Sequence, residues 1–145
     1  MHGLVVAGAG FLMAVLWFDL MFDAQVRNHA GVLSDKVLAS ISGYYRRVTI
    51  EAWPMNRFIA LVMIVTVFAI IAEIVRTDYR WSGWISLAAA ASAIGLDRVR
   101  TIPDAMRLGR AQDSAEIQSK LARTIFGDHI YCLAAISIVL VLQLV

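Results

Sequence analysis

The stretch LWFDLMFDAQVRNH, residues 16–29, sets Asp19, Asp23 and Arg27 four residues apart. On a helix that spacing puts two carboxylates and a guanidinium on one stripe. A second concentration is GDHIYC, Gly127–Cys132, where His129 lies three residues and Asp128 four residues before Cys132. An imidazole near carboxylates offers an acid or base that works near neutral pH. His with Cys or Asp also ligates transition metals, and His alone ligates haem iron. One helix supplies too few ligands for a closed zinc site. Further ligands would come from His29, Asp19 or Asp23, so the sequence names no metal set and no cofactor. Cys132 reads as a small packed residue. A third candidate is YYRR, Tyr44–Arg47, followed by Glu51, Trp53 and Asn56. Aromatic and guanidinium groups together suit an anionic headgroup or a planar ligand, and equally an interfacial helix.

The elements that carry these residues are apolar. Of 145 residues 60% are hydrophobic, and the mean hydropathy is +0.71, whereas soluble domains are about 45–50% apolar. A chain of this length cannot hide so much apolar side chain in a water-solvated core. Lipid is the natural solvent. The net charge is only +2 and no basic run or groove-reading cluster occurs, which argues against nucleic acid. There is no phosphate loop, dinucleotide fingerprint, nucleophile elbow or paired-cysteine motif. The single cysteine excludes an internal disulfide. The opening MHGLVVAGAGFLMAVLWF has no Lys or Arg ahead of its apolar run and reads as a retained first span rather than a secretory signal.

Four segments approach the roughly 20 apolar residues a membrane helix needs. They are 3–22, 58–75, 81–96 and 126–145, the third being short and rich in Ala and Ser. Within it Ser82, Ser86 and Ala90 repeat at four, as do Ala91 and Gly95, a spacing that lets helices approach closely in lipid. Trp81 and Trp84 suit an aromatic belt. Of the thirteen Lys and Arg residues, only Arg76 and Arg80 fall in the connection between the second and third spans. The others flank the first and third connections, which places those connections in the cytoplasm and both termini outside.

Both cytoplasmic connections carry helical patterns. Val37, Leu38, Ile41, Tyr44, Tyr45 and Val48 make one apolar face over 34–52, with Ser34 as N-cap and Pro54 as a stop or bend. In the other connection Pro103 is expected to interrupt the third span's extension, and Gly109 to mark a turn. Asp113 and Glu116 form a capping-box-like start to a helix that runs into the last span. Each half of the chain is thus an inward span, a basic turn, an amphipathic helix and an outward span, as in a parallel repeat.

Depth decides how the polar residues read. Asp19 and Asp23, Asn56 and Arg57, Asp97 and Arg100, and Asp128 and His129 all fall at the cytoplasmic ends of their spans. A closed bundle gathers such groups into one polar cluster. Asp23–Arg27, Asp97–Arg100, Asp104–Arg107 and Glu73–Arg76 have the spacing of local helix pairs. Asp19 is one turn deeper and needs a partner from another helix or a proton.

The stretch LARTIFGDHIYCLAA, with Arg123 and His129 at the opening of the last span, together with four short spans and polar cytoplasmic turns, resembles small bacterial four-helix membrane proteins of the anthrone-oxygenase-like group. That resemblance implies a membrane protein acting on a lipophilic ring compound.

The expectation is an all-α integral membrane four-helix bundle of the cell inner membrane, one domain over 1–145, with both termini outside and amphipathic helices in the two cytoplasmic connections. Asp19 and His129 are its candidate acid and base. Asp23, Arg46, Arg47, Asn56, Arg57, Asp97, Arg100 and Asp128 are its candidate ligand-binding groups. Its expected partners are membrane lipids, a lipophilic ligand, and further copies of itself or a larger membrane complex; the alternative function is a non-catalytic accessory or assembly subunit of a larger membrane complex.

Overall fold

A computed structural model describes residues 1–77 and 80–144, and among them no strand forms. The connection residues Asp78 and Tyr79, and Val145 at the end of the fourth expected span, lie outside the described residues. The chain runs α1 (His2–Asp23), a 3-10 turn (Ala24–Val26), α2 (Asp35–Tyr45), a π-helical turn (Arg46–Glu51) and α3 (Met55–Arg76). It continues with α4 (Trp81–Leu96), a second π-helical turn (Asp97–Thr101), α5 (Ile102–Arg110) and α6 (Ala115–Leu144).

Three helical stretches, His2–Val26, Met55–Arg76 and Ala115–Leu144, are long and apolar enough to cross a membrane. α4 has 16 residues, about 24 Å at 1.5 Å per residue, less than the roughly 30 Å of a hydrocarbon core. It gains length because the π-helical turn joins it to α5 without a break. α1 packs on α3 and α6, and α4 packs on the same two helices. The outward side of α3 leaves Phe58, Leu61, Ile64, Phe68 and Val75 exposed, a continuous apolar surface that suits lipid rather than water. Trp81 and Trp84 are exposed at one end of the assembly, and Trp17 and Trp53 near the other, as interfacial aromatics are.

Two separate apolar cores result. Val5, Ala9, Leu12, Ala69, Ile70, Ile74, Ala90, Ile136 and Val139 form the core among the long helices. Val26, Leu33, Leu38, Ile41, Tyr45, Ala105, Leu108, Leu121, Ala122 and Ile125 form the second, where α2 and α5 fold over the start of α6. The two amphipathic connections therefore pack on each other as a cap. Close approach requires glycine at the seam: a Cβ on Gly109 would lie 2.8 Å from the Arg46 backbone nitrogen. Gly109 is thus a contact point inside α5. The turn falls at Ala111, whose φ is +51°.

Pro103 does not interrupt the helix. It sits in the first turn of α5, just after the π-helical turn, where its missing N–H costs little. Ser34 occupies the expected cap position of α2, in extended backbone, but its side chain makes no capping hydrogen bond. At the start of α6 the Ser114 hydroxyl accepts from the Ile117 N–H at 3.5 Å, while the Asp113 carboxylate instead accepts from Arg107, at 2.8 Å to each oxygen. Ser86 and Ala90 are buried within the chain's own core, so half of the small-residue pattern is consumed by internal packing. Ala91 and Gly95 face outward.

Candidate functional site

The polar residues lie where the two cores meet. On α6 the buried stripe runs Leu121, Ala122, Ile125, then Asp128, His129, Cys132, then Ala135, Ile136, Val139. This is helical three–four spacing, with polar side chains replacing apolar ones between the cores. On α1 the same change occurs: Val5, Ala9 and Leu12 belong to the membrane core and Val26 to the cap, with Asp19 and Asp23 between them. A polar group in such a place must be paired.

Asp23 is fully buried and uses both oxygens. His129 Nδ1 donates to Oδ2 at 2.6 Å, and the Tyr45 hydroxyl donates to Oδ1 at 2.5 Å. Tyr45 reaches this point because Leu38, Ile41, Ser42 and Tyr45 form the buried face of α2. Asp19, one turn deeper on α1, accepts from the Tyr44 hydroxyl at 2.6 Å. The Tyr44 ring is fixed by stacking on Phe22, with centroids 4.0 Å apart. His129 Nε2 faces Asp19 Oδ2 at 4.0 Å, beyond direct hydrogen-bond range. The result is a five-residue chain, Tyr45–Asp23–His129···Asp19–Tyr44, contributed by α1, α2 and α6.

Burial pushes both phenols well above the usual tyrosine range, and the negative carboxylates, chiefly Asp19 for Tyr44 and Asp23 for Tyr45, add to it. Both tyrosines therefore remain hydrogen-bond donors at any physiological pH. Asp23, by holding Nδ1–H, fixes the tautomer of a neutral His129 so that Nε2 carries the lone pair. An imidazole oriented in this way, with a second carboxylate across from its free nitrogen, can accept and return a proton.

A second polar unit adjoins the first. Arg100 donates from Nε to Asp128 Oδ2 at 2.9 Å and from Nη2 to Oδ1. Thr101 adds a hydroxyl bond to Oδ2 at 3.1 Å. Asp128 is buried while much of Arg100 is exposed, so the arginine neutralises a buried carboxylate from the surface. Asp97 is half-buried and contributes a further negative charge within electrostatic reach of His129 and Asp19. The Asn56 Oδ1 atom is buried with no hydrogen-bond partner among the described residues.

Of the residues singled out from the sequence, Asp19, Asp23 and His129 come together, and Arg100 and Asp128 pair beside them. Arg46 and Arg47 do not join them: both are exposed, and Arg46 lies 4.0 Å from Glu51. Arg57 is likewise exposed and sits over the Trp53 ring, 5.8 Å from its centroid. YYRR is thus divided, its tyrosines turned to the carboxylates and its arginines to the surface. The sequence marks the two tyrosines as part of an aromatic and guanidinium patch, not as donors to the carboxylates of α1. Their signal was position, since Tyr45 continues the apolar face of α2 and must bury its hydroxyl with it. Cys132 is buried and free, with Sγ 3.7 Å from the Ala93 carbonyl oxygen. Among the described residues no three His, Cys, Asp or Glu side chains converge as a metal-ligand set. His2 lies far from the cluster, 3.0 Å from Gln143 and 3.7 Å from Glu73. No family model, curated protein or solved structure matches the chain.

Proposed function

We propose that this chain is a multi-pass protein of the cell inner membrane that binds or transforms a lipophilic small molecule at the polar layer beside the cytoplasmic leaflet. In this reading α1, α3, α4 and α6 form a transmembrane four-helix bundle with both termini outside, and α2 and α5 cap it on the cytoplasmic side. The observation that carries the proposal is the buried His129–Asp23 pair with Asp19 4.0 Å from the free imidazole nitrogen. A structural ion pair needs one carboxylate. The second one, deeper and held by its own tyrosine, gives the site an acid and a base facing each other. A polar atom of the ligand, a hydroxyl or carbonyl on an apolar skeleton, is engaged by both. His129 exchanges the proton, Asp19 is its counterpart, and Asp23 and Tyr45 hold the ring in place.

The experiment is purification in mild detergent followed by mass spectrometry of the co-purifying small molecules. A defined lipophilic compound in stoichiometric amount supports the reading. A stoichiometric partner protein with no small molecule supports the alternative, an accessory subunit of a larger membrane complex, for which the outward-facing Ala91 and Gly95 offer a close-packing surface.

A further inference from the structure

A groove of about 690 Å³ runs between α4 and α6 on the outside of the fold, separate from the buried histidine. Its two ends differ in character. At one end stands Arg123, whose guanidinium donates to the carbonyl oxygens of His29 and Gly31. Among the described residues Arg123 pairs with no carboxylate, so its charge is oriented but not neutralised. Lys120, exposed and one turn away on the same helix, adds a second positive charge. At the other end Tyr131 donates to the Ser92 hydroxyl at 2.9 Å, and Leu96 supplies an apolar wall. Tyr131 lies eight residues beyond Arg123, about 12 Å along the helix. Between them Gly127 keeps the floor open, since a Cβ there would meet nothing within 4 Å. Arg100 and Asp128 also line the groove, but their charges are spent on each other.

A basic group at one end of an open groove whose exposed lining is mostly apolar has the charge and shape of one kind of occupant. We propose that this groove holds an anionic phospholipid, its phosphate against Arg123 and Lys120 and the start of an acyl chain along Gly127, Leu96 and Tyr131. The site uses no residue of the Asp19–Asp23–His129 chain, so it is tested apart from the ligand reading, though it rests on the membrane arrangement proposed above.

The test is native mass spectrometry of delipidated protein titrated with phosphatidylglycerol, with phosphatidylcholine and inorganic phosphate as the comparison probes. The expected result is one retained phosphatidylglycerol, favoured over phosphatidylcholine by on the order of tenfold. Gly127→Leu should abolish that preference by filling the groove, and Arg123→Gln should reduce it. Arg123 also ties down the turn after α1, so Gly127→Leu, whose Cβ meets no atom within 4 Å, is the decisive variant. Equal retention of the two lipids overturns the proposal. So does binding of inorganic phosphate without lipid, or an unchanged preference in Gly127→Leu.

Discussion

His129 Nδ1 and Asp23 Oδ2, from residues 106 apart in the chain, meet at 2.6 Å in a site where Asp23 is fully buried. This contact ties the end of the first long helix to the middle of the last. Removing the carboxylate leaves the His129 Nδ1–H and the Tyr45 hydroxyl buried without an acceptor, at about 1–3 kcal/mol each. Asp23→Ala should therefore lower stability by about that much, and Asp23→Asn by less, since the amide oxygen still accepts one bond. Thermal unfolding in detergent measures both. Equal melting temperatures for wild type and Asp23→Ala would show that the contact does not hold the fold.

The two phenols give the cluster a pH signature. Both are shifted upward, by burial first and by carboxylates next. Folded protein thus keeps protons that an unfolded chain releases above about pH 10. The stabilisation is complete below that pH and is lost as pH rises further. Wild type should lose stability above about pH 10 more steeply than a Tyr44→Phe variant. Parallel stability curves for the two proteins would count against a buried, carboxylate-bonded Tyr44.

Helix packing away from the site can be tested at Gly8. A Cβ there would lie 2.0 Å from Thr66 Oγ1, and Thr66 is a stiff β-branched residue bonded to the Val62 carbonyl at 2.7 Å. Gly8→Ala should destabilise by about 1–3 kcal/mol, the usual cost of overpacking. Adding Thr66→Ala should recover much of that loss. No recovery would mean that α1 and α3 do not meet at this point.

The proposed orientation rests on the charge asymmetry. A periplasm-active reporter fused after Val145 should be active, and one fused after Lys36 inactive. The opposite pattern would overturn the topology.

The helical class, the cap helix α2 and the proximity of Asp19, Asp23 and His129 are legible in the sequence, because they follow from periodicity and depth, whereas α5 forms where Pro103 and Gly109 suggest a break and a turn. It misassigned the charge pairs. Asp23 is bonded to His129 and Tyr45 rather than paired with Arg27, Arg100 goes to Asp128 rather than Asp97, Arg107 goes to Asp113 rather than Asp104, and Glu73 lies near His2 rather than Arg76. Pairs at three or four residues along a helix contribute only a few tenths of a kcal/mol. For Asp23 and Asp128 a partner from another helix, met in a less solvated place, outweighs them. Such partners depend on how helices dock, and residue spacing carries no record of that. Pro103 failed as a helix stop for a related reason: a change of helical register, invisible in composition, made room for it.

In the function proposed above, Asp19 faces His129 to engage a ligand rather than to hold the fold. Its most direct test is ligand retention by Asp19→Asn, measured by mass spectrometry of the detergent-purified protein alongside its melting temperature. The account predicts that Asp19→Asn melts close to wild type, since Asn still accepts from Tyr44, and loses the co-purifying lipophilic compound. A variant that melts like wild type and retains the compound in full would contradict it.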